Sequence, residues 1–337
     1  MTEEGASTMS GCSILRSFAA CALVAGVVVV LSCGAHAQTW PSRHVRLIVP
    51  YPAGGGADAI ARIVGAKLSE LWGQQALIEN RGGAGGNIAS DAAAHSPPDG
   101  YTLYLAGEFL ASNSFLYPKL SYDPIADFAP VSLVVQYPTV IVVPNSSPAR
   151  TLAEFIAYAK ASATTLTFAT AGHGTGSHLV GELFKRTAGI QLTHVPYRGA
   201  APALQDLIPG RVDSFFNNIA PVIPLMQQGQ LRALAITTAK RVPAAPDLMT
   251  FAESGLPGFD ASGWYAFYFP ARTPVEIVRK AHADTVAALS DPKVRRRLED
   301  LGLFVVGSTP EALAAYHKTE MERWGPIIKA AGITIRD

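Results

Sequence analysis

Residues 45–67, VRLIVPYPAGGGADAIARIVGAK, run from a short apolar segment through a glycine loop into an amphipathic helix, and this order constrains the fold more than any other stretch. Val45, Leu47, Ile48 and Val49 form a run rich in β-branched residues, which suits a buried strand that Pro50 and Pro52 then end. Gly54, Gly55 and Gly56 carry no Cβ, so the backbone there can take positive φ and lie directly against a ligand. Ile60, Ile63, Val64, Leu68 and Leu71 recur at helical spacing, with Gly73 as the stop. The loop therefore opens into a helix N-terminus, where free N–H groups and the helix dipole favour phosphate or carboxylate. A tight turn with no ligand fits the same glycines.

The same order returns along the chain. Residues 75–80 read as a second strand ahead of the glycine-rich loop 81–87, and residues 101–106 as a third, ending at Gly107, Glu108 and Phe109. Residues 166–171 form a later strand, followed by a loop carrying Gly172, Gly174, Thr175, Gly176 and Ser177 and by a helix that Gly189 stops. Further strands are expected at 190–195, ahead of Pro196-Tyr197-Arg198-Gly199, at 212–216, ahead of Asn217 and Asn218, and at 231–237. Residues 131–143, broken at 136–138, and residues 263–269 read as crossings between two lobes. Helices follow from residue 274, and Thr151 and Thr309 read as N-caps. The rhythm predicts an α/β protein with a mostly parallel sheet and sites at the carboxyl ends of its strands.

Residues 1–37 read as a secretory signal peptide. An apolar run of fourteen residues follows Arg16, too short to span a membrane, and Ala35-His36-Ala37 supplies the cleavage pattern, which predicts a mature start at Gln38. A lipid on Cys33 is the rival reading. All three cysteines fall inside this segment, so the mature chain is expected to have no disulfide, cysteine nucleophile or thiolate metal site. A formal net charge of +1 with no basic block gives nucleic acid no footprint.

Two enzymatic chemistries compete. Gly54-x-Gly56-x-x-Ala59 with Glu79 beyond it matches a dinucleotide fingerprint, but Pro50-Tyr51-Pro52-Ala53 separates the strand from the glycines where the fingerprint needs an immediate turn. Ser177 with His173 or His178 suggests a hydrolase, yet G-x-S-x-G is absent and adjacent helical residues point to different faces. No H-x-x-x-H or H-E-x-x-H spacing offers a metal motif. Asp58 reads first as an acid complementing its own helix dipole and second as a catalytic acid. No catalytic residue, metal or cofactor is expected.

Taken together, Pro50-Tyr51-Pro52-Ala53-Gly54-Gly55 with Asp58 and Arg62, Asn80-Arg81 with Gly83-Ala84-Gly85-Gly86, Asp99-Gly100-Tyr101-Thr102-Leu103, the Gly174 loop with Glu182-Leu183-Phe184, Val195-Pro196-Tyr197-Arg198-Gly199 and Phe251-Ala252-Glu253-Ser254-Gly255 resemble the Bug family, the substrate-binding receptors of tripartite tricarboxylate transporters. The resemblance covers nearly the whole mature chain. It implies a type II periplasmic binding protein fold, two α/β lobes around a ligand cleft, with a small carboxylate held largely by loop amides. The implied lobes are 38–139 with 265–337, and 140–264, closing about crossings near 138–145 and 263–270. The implied ligand-binding residues are Tyr51, Ala53, Gly54, Gly55, Asp58, Gly107, Glu108, Gly174, Thr175, Gly176, Ser177, Arg198 and Asn217. The implied partners are the membrane subunits of such a transporter, with the receptor a monomer in the periplasm; docking on a membrane kinase as a ligand sensor is the alternative.

Two departures stand out. The family commonly has Asp-Asn where Asn217-Asn218 stands, and small hydroxyl residues where Ala106-Gly107-Glu108-Phe109 stands. Glu108 is expected either to face the cleft, pairing with an amino group or reading a ligand hydroxyl, or to point to solvent. Phe109 and Tyr51 suit either stacking on an aromatic acid or packing in the core.

Overall fold

The computed structural model describes residues 40–335; the expected signal peptide and the start at Gln38 lie outside them. Residues 40–42 form neither helix nor strand, and every described element lies beyond residue 43.

Strand β1 (Val45–Val49) is buried except at Arg46. Helix α1 (Gly56–Trp72) turns Ile60, Ile63, Val64 and Leu68 inward and stops at Gly73, whose φ of 62° suits glycine. Leu71, expected on the buried face, lies exposed because Trp72 fills the next inward position. Strand β2 (Ala76–Asn80), helix α2 (Asn87–Ala94), strand β3 (Thr102–Gly107) and helix α3 (Phe109–Leu116) complete the first stretch. Both β2 and β3 pair in parallel with β1.

Strand β4 (Phe128–Pro144) is continuous, where the sequence suggested a break at 136–138. Pro138 stands where the strand changes partners, so its missing N–H falls at the handover between ladders. Helix α4 (Leu152–Ala161) is capped by Thr151, whose hydroxyl accepts from Glu154 N–H at 3.1 Å. Strand β5 (Leu166–Thr170), helix α5 (Gly176–Ala188), strand β6 (Leu192–Pro196), helix α6 (Ala200–Leu207) and strand β7 (Ser214–Asn218) repeat the earlier rhythm, with β6 and β7 parallel to β5. Helix α7 (Ile223–Gln227), strands β8 (Leu231–Ile236) and β9 (Ser262–Pro270), helices α8 (Val275–Ser290) and α9 (Pro292–Asp300), strand β10 (Phe304–Val305) and helix α10 (Pro310–Ala331) follow.

One curled sheet runs β2-β1-β3-β9-β4-β7-β5-β6, with β8 and β10 also on β4. It is mixed rather than mostly parallel. The long strands β4 and β9, which carry the chain out of and back into the first half, lie side by side in opposite directions, and β8 and β10 oppose β4 as well. β4 pairs with β9 through Pro138↔Ser262 and with β7 from Thr139↔Asn218 onward. The return passage therefore lies between β8 and Ser262, with all of β9 in the first half of the sheet.

Separate apolar clusters fill the layers on each half. Helix α10 crosses α3, α5 and β4, and its buried Glu320 accepts from the indole N–H groups of Trp264 and Trp324 at 3.3 Å each. Burying that carboxylate is tolerable only with such partners. The carboxyl ends of β1, β5 and β6 all deliver the chain into glycine turns that open helices.

Candidate ligand-binding site

Three helix N-termini line one small cavity. Gly55, Gly56 and Ala57 come from the start of α1, Thr175 and Ser177 from the start of α5, and Gly199, Ala200 and Ala201 from the start of α6. The first N–H groups of each helix have no intrahelical partner, and the dipole adds partial positive charge there. Neither Gly55 nor Gly199 supplies a side-chain cap. Gly199 sits at φ 106° with Pro52 against it, which only glycine adopts readily. The cavity measures about 40 Å³ and opens beside a wider space of about 760 Å³, which the Gly82–Gly86 loop, His173, Tyr117 and Tyr197 help to line.

Polar side chains complete the wall. Glu108 is buried; its Oε1 accepts from Gly176 N–H at 3.1 Å and its Oε2 from the Tyr137 hydroxyl at 2.8 Å. Burial pushes its carboxyl above the usual range, against the pull of Tyr137 and nearby backbone N–H groups. Tyr137 stacks on Tyr265 at 5.0 Å, and both rings line the cavity with Tyr51. Burial raises all three phenols, so they stay protonated. Asn217 also lines the cavity, and its buried Nδ2 has no hydrogen-bond partner among the described residues. Arg198 stands exposed at the rim shared with the wider space.

Residues 60–333 match the family described as the tripartite tricarboxylate transporter family receptor. Protein BugT of Bordetella pertussis is 34% identical over 302 residues, spanning 89% of this chain and 93% of BugT. The chain belongs to this receptor family. A Rhodopseudomonas palustris protein solved with adipate superposes with a TM-score of 0.85 at 37% identity, covering 88% of this chain and all of the other. MatC from the same organism, solved with bound malate, gives 0.81 at 36% identity, covering 86% and 100%. The fold is thus that of the periplasmic binding proteins of the tripartite tricarboxylate type, and the family's members are periplasmic solute-binding receptors.

Within this receptor the cavity brings together Tyr51, Ala53, Gly55, Glu108, Thr175, Ser177, Arg198 and Asn217 from the residues anticipated by sequence. Glu108 faces inward, not to solvent. Five others stand behind the wall. Gly54 N–H donates to Asp58 Oδ2 at 3.0 Å, and the same carboxylate binds Arg62 at 2.9 Å and Asn80, so Asp58 holds the loop in shape. Burial opposes its ionisation, yet these partners hold it below the usual carboxylate range. Gly107 packs beneath Phe109 and Tyr265, Gly174 N–H donates to His178, and Gly176 gives its N–H to Glu108. Phe109 is core, edge-on to Tyr51. Glu79 pairs with Arg46 and Arg81.

Sequence reading missed Tyr137, Thr139, Asn218 and Tyr265, and from the α6 turn it named Arg198 but not Gly199, Ala200 and Ala201. The α6 turn repeats the strand–glycine–helix signature and was open to the same argument; the tyrosines lie on crossing strands that carry no local mark. It also missed that His173, His178 and His194 meet, with ring nitrogens within 4.8 Å of one another. His178 and His194 stack at 4.1 Å and 12°, which aims their lone pairs in parallel rather than at one point, and Thr170 and Gly174 already engage them.

Proposed function

We propose that this receptor captures a small carboxylate in the cavity between α1, α5 and α6 and hands it to the membrane subunits of a tripartite tricarboxylate-type transporter. The observation that carries the reading is the convergence of three helix N-termini on one pocket, a constellation suited to an anion. The adipate and malate held by two relatives give the same chemical class. Charge-assisted bonds contribute about 1.5–3 kcal/mol each, so a few suffice for micromolar affinity, about 8 kcal/mol. The ligand leaves unchanged, because binding is the whole task.

A cavity of about 40 Å³ is far below the 300–1,000 Å³ of ordinary small-molecule sites, so entry requires the halves to part. We place the hinge where β4 changes partners at Pro138 and Thr139, and in the return passage before Ser262. Two lobes, 38–139 with 265–337 and 140–264, then close on the acid. The chain is exported with cleavage after Ala37 and works as a monomer. A thermal-shift screen of the protein from Gln38 onward, against mono-, di- and tricarboxylates, amino acids and NAD, tests the reading. A carboxylate that raises the midpoint without being converted supports it; a response to NAD alone overturns it.

A further inference from the structure

The anion cradle at the start of α5 is already filled by the protein itself. Glu108, at the end of β3, is 5% exposed and reaches across to α5, where Oε1 takes the Gly176 N–H while Oε2 takes the Tyr137 hydroxyl. The approach is so close that a Cβ on Gly176 would sit 2.2 Å from Oε1, so any larger residue there would push Glu108 out of this position. The Gly176 N–H, the first donor of α5, is therefore already taken by a carboxylate of the protein itself. The starts of α1 and α6 remain uncapped by side chains. Asn217, which lines the same cavity, carries a buried neutral donor, Nδ2, with no acceptor among the described residues. A second ligand carboxylate would lie against that of Glu108 in a space of about 40 Å³, where the two could share the site only if one of them took up a proton.

We propose that Glu108 acts as a built-in second carboxylate, so that this receptor selects acids with a single carboxylate and a neutral oxygen at the far end, and rejects dicarboxylates. A hydroxyl at that end suits both neighbours, accepting from Asn217 and donating to Glu108. The proposal rests on the carboxylate reading above and narrows it. It also separates this chain from the relatives solved with adipate and malate, each of which carries two carboxylates.

Matched pairs test it by titration calorimetry: 6-hydroxyhexanoate against adipate, and 3-hydroxybutyrate against malate. The wild-type chain is expected to bind at least one hydroxy acid tenfold or more tighter than its dicarboxylate twin. Glu108→Ser empties the Gly176 N–H and should reverse that ranking, while Glu108→Gln, which keeps the shape without the charge, should narrow it at least threefold. If the serine variant does not fold, the glutamine variant decides. Wild-type protein that binds adipate or malate as tightly as the hydroxy acid overturns the proposal and leaves the carboxylate reading standing, as does an unchanged ranking in Glu108→Gln. Silence of folded wild type toward all four acids and toward the wider carboxylate panel overturns both.

Discussion

Individual residues decide whether the cavity exists. A Cβ on Gly56 would stand 2.2 Å from the Asn218 amide, whose Oδ1 holds Ala220 N–H, whereas one on Gly55 meets nothing nearer than Pro52 O at 3.9 Å. Gly56→Val should therefore cost about 1–3 kcal/mol in urea unfolding as an overpacked site, while Gly55→Ala stays within about 0.5 kcal/mol. The stacked imidazoles set a pH limit. Burial first, then the neighbouring charges of His173 and Lys185, lower His178 to about 4, and burial with the nearby histidines lowers His194 to about 2. The unfolded chain takes up protons below about pH 6.5 that the folded chain refuses. The stability these residues hold is thus complete above pH 6.5 and is lost as pH falls toward 4 and then 2. His178→Gln should narrow the stability difference between pH 7.5 and pH 5 by about 2 kcal/mol, read from denaturant midpoints at the two pH values.

At the scale of elements, α10 ties the sheet together through one buried carboxylate. Removing it in Glu320→Ala leaves the Trp264 and Trp324 indoles without an acceptor, and unfolding should become easier by about 1–3 kcal/mol, with Glu320→Gln recovering part of the loss. The units that were legible in the sequence are those whose logic is local. β1 with its loop and α1, and β5 with its loop and α5, announce themselves by β-branched runs, glycines and helical spacing within about twenty residues. Helix α3 went unread because Phe109, Leu110 and Leu116 show no clear amphipathic stripe; it is buried on most sides. The unbroken course of β4 across Pro138 depends on two different partners far along the chain, and no local pattern encodes that register. For the same reason the loop residues of the site were legible, whereas Tyr137 and Tyr265, delivered by β4 and β9, were not. The inward turn of Glu108 was one of two readings, settled by Gly176 and Tyr137 from elsewhere in the sequence.

In the molecule as a whole, we propose that a carboxylate seated against the starts of α1 and α6 closes the two halves upon it. Titration calorimetry of wild type and Gly56→Val with the acids of the screen tests that claim most directly, because the substitution fills the wall between the α1 turn and Asn218. The wild type is expected to bind a carboxylate with a micromolar Kd, and the folded variant to lose at least a hundredfold. Equal affinity in the two proteins would place the ligand elsewhere and contradict it.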